Sequence, residues 1–410
     1  MSNPAPAPAE LRACAEDLLQ ALPEFARQTP APAAGEWGDA AFNRRALELF
    51  ALQFRFNPPY RQWCLARGTT PDQVRHWTQI PAVPTAAFAE FDFSCLAPEA
   101  RTAVFHSSGT TRQRPSRHFH NADSLRLYEE VLWRGFRRAL LPEDPFPDAL
   151  DLLILLPPAA SAPHSSLVHM CETIRRRMNR PESAFQGSVD ASGGWWVDPA
   201  AVWARLEQCA SLGRPALILA TAWLLVRVLD HPGSHQRRLS LPPGSRLMET
   251  GGYKGRTREV PPEELRKQIE AHWGLPESAI FSEYGMCELS SQAYDHFHVP
   301  NAVRAADPGR AQSTVRVRVR RRFRFPPWVR WEVVDPETGA ACAEGAVGLL
   351  RIWDLANVFS VLAVQTEDLA VRVQDGFELR GRAAGAAPRG CSLMALEPAD
   401  PSPVANVPRS

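Results

Sequence analysis

Four short segments of this 410-residue chain combine residue types suited to a phosphate-bearing ligand. Phe105-His106-Ser107-Ser108-Gly109-Thr110-Thr111 sets two hydroxyl pairs around one glycine. Glycine lets backbone approach closely and Ser/Thr hydroxyls add donors, so such a loop can wrap phosphate oxygens; a Ser/Thr-rich surface turn has the same composition. Glu249-Thr250-Gly251-Gly252-Tyr253-Lys254 joins a double glycine, against which a flat ring can lie, to a cation for a carboxylate or phosphate. A turn with a solvated lysine is the plainer alternative. Phe281-Ser282-Glu283-Tyr284-Gly285-Met286-Cys287-Glu288 brings an aromatic that can stack on a base close to a carboxylate that can hold a magnesium ion bridging phosphates; a strand end with a buried tyrosine fits as well. Thr366-Glu367-Asp368 is expected in a loop between β-like segments, where a carboxylate can accept both hydroxyls of a ribose or simply form an acidic turn.

The elements that must position these segments read as α/β. Residues 1–35 are Ala/Pro-rich around an amphipathic piece, Leu11–Leu22, and are expected to form a loosely docked arm. From Asp39 to Arg67 the apolar spacing is helical. A strand-like Thr102–Phe105 leads into the first loop, and a helix is expected from Ala122 to Leu140. Leu152–Leu156 is a continuous apolar run, as in a parallel strand buried on both faces. Ala216–Ala220 and Arg246–Glu249 are further strands followed by helix-forming sequence, the alternation of crossover helices with a parallel sheet. From Ser313 the texture turns β-rich, through Val315–Val319, Trp328–Val334, Gly348–Trp353 and Leu369–Val373.

Composition narrows the function classes. Apolar residues make up 45% and charged residues 22%, with a net charge of +1, so no overall field points toward nucleic acid or an anionic membrane. Arg316–Arg324 has a basic look, but alternating Val and Arg is what a strand with one wet face gives. Of 46 basic residues only Lys254 and Lys267 are lysines, which makes the place of each informative. The eight cysteines form no CxxC pair, and His296-Phe297-His298 lacks further ligands at metal spacing beyond Asp295. His164 and His169 are as suited to an acyl site as to core or surface. No secretory signal is visible, and Ala216–Val226, among the most apolar stretches, is shorter than the roughly 20 residues of a membrane span. A cytoplasmic protein with reduced thiols and no membrane span is expected.

Taken in order, the segments resemble the signature elements of the adenylate-forming superfamily of acyl-CoA synthetases. In that family a Ser/Thr/Gly loop precedes a Tyr-Gly-x-Thr-Glu element, a ribose-binding Asp and a Gly-Arg hinge, here Gly381-Arg382. Within the superfamily the chain is similar to the acyl-protein synthetases (LuxE type), which feed fatty acyl groups to a reductase partner in bacterial bioluminescence. The likeness covers roughly residues 80–397. It rests on Gly251-Gly252-Tyr253-Lys254, on Tyr284 through Gln292, on Trp353-Asp354-Leu355-Ala356-Asn357 with Thr366-Glu367-Asp368-Leu369, and on Arg389-Gly390-Cys391-Ser392-Leu393.

The resemblance implies an α/β adenylate-forming large domain with a β-rich C-terminal part and without a full-size C-terminal lid. Residues 1–80 would form a helical region packed on the core, 81–380 the adenylation core, and 381–410 a short tail. ATP and Mg²⁺ are the implied cofactors. Ser107, Ser108, Gly109, Thr110, Thr111, Gly251, Gly252, Tyr284, Gly285, Asp368 and Arg382 would bind the nucleotide, Glu288 the metal, and Lys254 would assist catalysis. Only 28 residues follow Arg382 and none of them is lysine, so a lid lysine is not expected on this chain. The tail carries Cys391 instead, with Arg389 nearby to favour the thiolate that thioester formation needs. The implied activity converts a carboxylic acid, expected to be fatty, to an acyl-adenylate and then a Cys391 thioester, for an acyl reductase or acyl-carrier partner. Delivery to an external thiol, that of coenzyme A or of an acyl carrier, and a non-catalytic nucleotide-binding partner subunit are the alternatives. Arg112 stands where the family has glycine and Cys287 where it has threonine, the latter removing a hydroxyl from the phosphate region.

Overall fold

The computed structural model describes residues 7–26, 37–107, 114–142, 150–191, 193–234, 236–252, 257–298 and 320–383. The chain begins with α1 (Ala9–Ala26), α2 (Asp39–Phe56) and α3 (Pro58–Leu65), then β1 (Val83–Pro84), α4 (Ala87–Glu90), a hairpin of β2 (Ala103–His106) and β3 (Arg117–His120), and α5 (Ala122–Leu140). An α/β stretch follows: β4 (Asp151–Ile154), α6 (Ser166–Arg177), β5 (Gly187–Val189), β6 (Trp195–Val197), α7 (Pro199–Ser211), β7 (Ala216–Thr221), α8 (Ala222–Leu229), β8 (Arg246–Thr250), α9 (Pro262–Trp273) and β9 (Ile280–Tyr284). The remainder is β: β10 (Ala293–His298), β11 (Arg320–Arg324), β12 (Val329–Val334), β13 (Val347–Asp354), β14 (Ala363–Val373) and β15 (Gly376–Arg382).

One large mixed sheet runs β12-β13-β14-β15-β11-β10-β9-β8-β7-β4, with β1 added to β14. Its parallel part is β4, β7, β8 and β9, in register Ile154↔Leu219, Leu219↔Met248 and Met248↔Phe281. β4 and β7 are buried along their whole length, which is why their sequences run apolar without alternation. From β10 to β15 the strands pair with one another antiparallel, while β1 adds to β14 in parallel.

Two apolar clusters hold the layers together. One joins the parallel strands to α5–α9, with Trp203, Trp223 and Trp273 fully or almost fully buried. The other joins the N-terminal helices to β12–β15 through residues such as Phe42, Phe50, Trp328 and Trp353. The helix expected at 122–140 forms with those bounds because Asn121 and Ser124 make a reciprocal capping box and Arg137 and Arg138 fill its last turn.

Three local expectations differ from the structure. The segment expected to be a loose arm is α1, whose Leu11, Ala15, Leu18 and Leu22 are buried and which packs on α5, with Glu16 ion-paired to Arg126 at 2.9 Å. A stripe at helical spacing finds a partner face despite the Ala/Pro-rich flanks. The helical stretch from Asp39 breaks at Asn57, which ends α2 and caps α3 before Pro58 and Pro59. Thr366-Glu367-Asp368 lies inside β14 rather than in a loop, because Leu369 pairs with Gly381 and Asp368 with Arg382. In β11, Arg322 is buried against Asp375 while Arg321 meets Asp295, so both faces of that basic strand carry ion pairs. Val315–Val319 lies outside the described residues.

Candidate functional site

The carboxyl ends of parallel strands are where open α/β sheets leave a crevice, and two of the singled-out segments begin there. β8 ends at Thr250, followed by Gly251 and Gly252; β9 ends at Tyr284, followed by Gly285. Gly251 holds φ +76°, a conformation that favours glycine. A Cβ on Gly285 would run into the Glu283 carboxylate, so a side chain here would displace that group. No described atom lies within 4 Å of the position a Cβ on Gly252 would take, leaving its backbone approachable.

Three expected site residues meet at this edge. The Tyr284 hydroxyl donates to Asp368 Oδ2 at 2.8 Å, and Arg382 Nε lies 3.3 Å from Asp368 Oδ1. Arg382 also pairs with Glu367. Tyr284 arrives from β9, Asp368 from β14 and Arg382 from β15, so a contact across 84 residues of sequence is made by strand pairing. The Tyr284 ring sits edge-on to Phe323, Phe325 and Phe377, which fixes its plane.

Glu288 is fully buried four residues beyond Tyr284. The Cys287 thiol, standing where a hydroxyl was expected, points at its Oε2 at 3.2 Å. His118 of β3 binds the Cys287 carbonyl through Nδ1 at 2.6 Å, which makes Nδ1 the protonated nitrogen. Burial lowers the His118 pKa, opposed by that hydrogen bond and by the Glu288 charge, so the ring is neutral. This contact lays the β2–β3 hairpin on the Glu288 segment. Ser107 closes the base of the same hairpin: its N–H donates to the Ser116 carbonyl at 3.0 Å, and its Oγ accepts from the Ser116 N–H at 2.8 Å. Ser108, Gly109, Thr110, Thr111, Lys254 and Cys391 lie outside the described residues, as does Arg112.

The donor chemistry fits magnesium delivered with phosphates. That ion takes one or two protein carboxylates and completes its shell with water and phosphate oxygens, and Glu288 offers one hard carboxylate. Among the described residues no group of three or more His, Cys, Asp or Glu side chains is arranged to hold a metal by protein ligands alone.

Other polar groups stand near these segments, His164 and His169 among them. Glu283 faces Thr250, whose hydroxyl it accepts, and burial pushes its carboxyl up to about 7. Glu249 is also raised by burial, and its carboxylate accepts from Ser282; Arg266 and Arg321 hold Asp295 alongside at 3.2 and 2.6 Å. His106 stacks on His164 with ring centres 4.9 Å apart, and His169 binds Glu129 at 3.0 Å, beside the hairpin. The only sequence signal for His118 is its alternation with His120 next to the Ser/Thr loop; Glu283 is marked by nothing except adjacency to Tyr284.

No protein-family model matches the chain, and no curated protein matches its sequence. Solved structures do. An open conformation of 2-hydroxyisobutyryl-CoA ligase, in complex with 2-HIB-AMP and CoA, superposes with a TM-score of 0.56 at 14% identity, covering 86% of this chain and 74% of that one. The same ligase in the postadenylation state with R3-HIB-AMP gives 0.57 at 15% identity, covering 86% and 68%. ATP-bound MatB from Rhodopseudomonas palustris gives 0.43 at 16% identity, covering 91% and 73%. The chain therefore shares the mixed α/β fold of 2-hydroxyisobutyryl-CoA ligase. No helix among the described residues is long and apolar enough to cross a membrane.

Proposed function

We propose that this chain is an ATP-dependent acid–thiol ligase of the acyl-protein synthetase type. The observation that carries the reading is the meeting of Tyr284, Asp368 and Arg382 at the strand edge from which the Glu288 segment leaves, in an adenylate-forming fold. In the first half-reaction a carboxylate oxygen of a fatty acid bonds to the α-phosphorus of ATP, and the bond to pyrophosphate breaks. Tyr284 stacks on the base, Asp368 accepts the ribose hydroxyls, and Arg382 holds Asp368 in place. Gly251 and Gly252 let the adenosine approach the backbone, with Gly285 keeping the far side clear. Ser107, Ser108, Gly109, Thr110 and Thr111 wrap the departing phosphates, and Lys254 offsets the repulsion between two anions. Glu288 would hold Mg²⁺, which would supply further charge neutralisation there.

In the second half-reaction the Cys391 thiolate attacks the acyl carbon of the mixed anhydride, AMP leaves, and a thioester remains for a reductase or carrier partner. In this reading residues 1–80 support the core of 81–380, and 381–410 brings the thiol. The test is acid-dependent pyrophosphate–ATP exchange together with intact mass after incubation with a panel of carboxylic acids, ATP and Mg²⁺. A hydroxylamine-labile mass increase that disappears in Cys391→Ser is expected. Exchange that survives in Cys391→Ser with turnover of free coenzyme A moves the acceptor off the chain, and absence of exchange with every acid removes the ligase reading.

A further inference from the structure

The segment carrying Glu288 is gripped on the side away from the His118 hairpin by residues that the reaction above does not use. Asn357, in the turn after β13, donates from Nδ2 to the Glu288 carbonyl at 2.8 Å and to the Val361 carbonyl at 2.9 Å. Its Oδ1 accepts from Ser290 Oγ at 2.8 Å. Only one orientation of this amide works, since the flipped form would set its oxygen against two carbonyls.

Asp354, three residues earlier, holds the next stretch of the same segment. Its carboxylate accepts from the N–H groups of Ser290 and Ser291 at 3.1 and 2.8 Å, from Ser291 Oγ at 2.9 Å and from the Ala356 N–H at 3.0 Å. Behind this turn stands α2. Gln53 donates to the carbonyls of Asn357 and Val358 at 2.8 and 3.2 Å and accepts from the Leu362 N–H at 2.9 Å. Gln53, Asp354, Asn357 and Glu288 are all essentially excluded from solvent. Each bond is therefore made in a setting where an unmade one is expensive, and a continuous hydrogen-bonded path leads from α2 to the Glu288 backbone.

We propose that Asn357 is a positioning residue for Glu288, and that Gln53 makes helix α2 part of the apparatus that aims this carboxylate. The inference rests on the reading of Glu288 as the metal–phosphate carboxylate. It goes beyond that reading by giving a functional task to the N-terminal helices and to the Trp353–Asn357 run.

The experiment uses the full chain and the variants Asn357→Asp, Ser290→Ala and Glu288→Gln. Three quantities are read: pyrophosphate-exchange kinetics, calorimetric binding of ATP with MgCl₂ or with EDTA, and near-UV circular dichroism for the fold. Asn357→Asp keeps the shape but loses both donated bonds; kcat should fall about 10- to 100-fold, with KM for the acid within about twofold. The gain in ATP affinity that Mg²⁺ confers should shrink in parallel, with ATP binding in EDTA unchanged. Ser290→Ala, which removes the one hydrogen bond to the amide oxygen, should move the same quantities in the same direction by about three- to tenfold. A folded Asn357→Asp with wild-type kcat and Mg²⁺ response overturns the proposal, as does one that only melts earlier. Should Asn357→Asp not fold, the Ser290→Ala response decides in the same way. Glu288→Gln separates the two levels: wild-type exchange in that variant sinks the reading of Glu288 itself. Loss of exchange there beside an unaffected Asn357→Asp sinks only the positioning role.

Discussion

Asp368 and Glu288 are carboxylates at one edge of the same sheet, and they are built in opposite ways. Asp368 is partly exposed, lies inside a strand, and is met by a tyrosine hydroxyl and a guanidinium. Glu288 is sealed from solvent on a turn whose backbone is held by neutral donors and acceptors from β3 and from the turn after β13. A partly exposed ion pair exchanges partners with water at little cost, whereas a buried network loses a full hydrogen bond when one member changes. The ribose side of the proposed cleft should therefore be tolerant and adjustable, and the phosphate side rigid and sensitive.

The largest effect that separates the two sides is expected at Glu288 itself. Glu288→Gln keeps the volume but removes the charge, so pyrophosphate exchange should fall by about 10³-fold, the scale of losing a key electrostatic group at a reacting centre. ATP binding in EDTA should stay near the wild-type value. A loss of binding in EDTA as large as the loss of rate would show that Glu288 acts on the fold and would erase the contrast with Asp368.

The buried side also predicts a pH dependence of stability. Glu283 has its carboxyl pushed from 4.5 up to about 7, chiefly by burial, with the Thr250 hydroxyl opposing and Glu249 adding to the rise. Between those values the native state keeps a proton that the unfolded chain has released. Stability should therefore fall as pH rises from about 4.5 to about 7 and level off above, by on the order of 3 kcal/mol. Glu283→Gln, which cannot ionise, should flatten that slope in urea unfolding measured across the range. An unchanged slope would assign it to other groups.

Asp354 tests the same network at a smaller scale. Asp354→Asn turns one acceptor oxygen into a donor facing N–H groups of Ser290, Ser291 or Ala356. The resulting unsatisfied donors should cost about 2 kcal/mol, read as a lower urea midpoint at constant m. Burial raises the Asp354 pKa to about 6, with the donors from Ser291, Ala356 and Ser290 opposing. The native state thus favours the protonated acid, and the Asn variant should lose least, relative to wild type, above pH 6.

How much of this was legible differs between the regions for a physical reason. The parallel half was readable because burial on both faces writes continuous apolar runs, as in Leu152–Ile154 and Ala216–Ala220. Tyr284, Asp368 and Arg382 were readable as types in a given order, but their contact depends on β14 and β15 pairing through a register shift at Leu369/Ala370, which local sequence does not specify. Thr366–Asp368 looked like a loop because a polar triplet interrupts the apolar alternation, and it falls in β14 opposite a register irregularity of β13 between Leu349 and Arg351. Gln53 and Asn357 were invisible as partners. One reads as a polar position on an amphipathic helix, the other as a turn residue, and 304 positions separate them. The segment Leu11–Leu22 showed its stripe but not its partner, since α5 offers the matching surface only after folding.

The tolerant side supplies the smallest expected effect. Asp368→Asn keeps an oxygen for the Tyr284 hydroxyl and removes the charge facing Arg382, whose guanidinium still has Glu367. Stability should change by less than about 1 kcal/mol, since the pair is partly hydrated. The substituted amide keeps one acceptor for the ribose and loses one charge-assisted bond, so KM for ATP should rise about tenfold while kcat for exchange holds within about threefold. Substrate-dependence curves for ATP at saturating acid resolve the two parameters. A drop in kcat matching that of Glu288→Gln would mean that Asp368 acts on the reacting phosphate as well as the ribose, and that both carboxylates belong to one rigid unit.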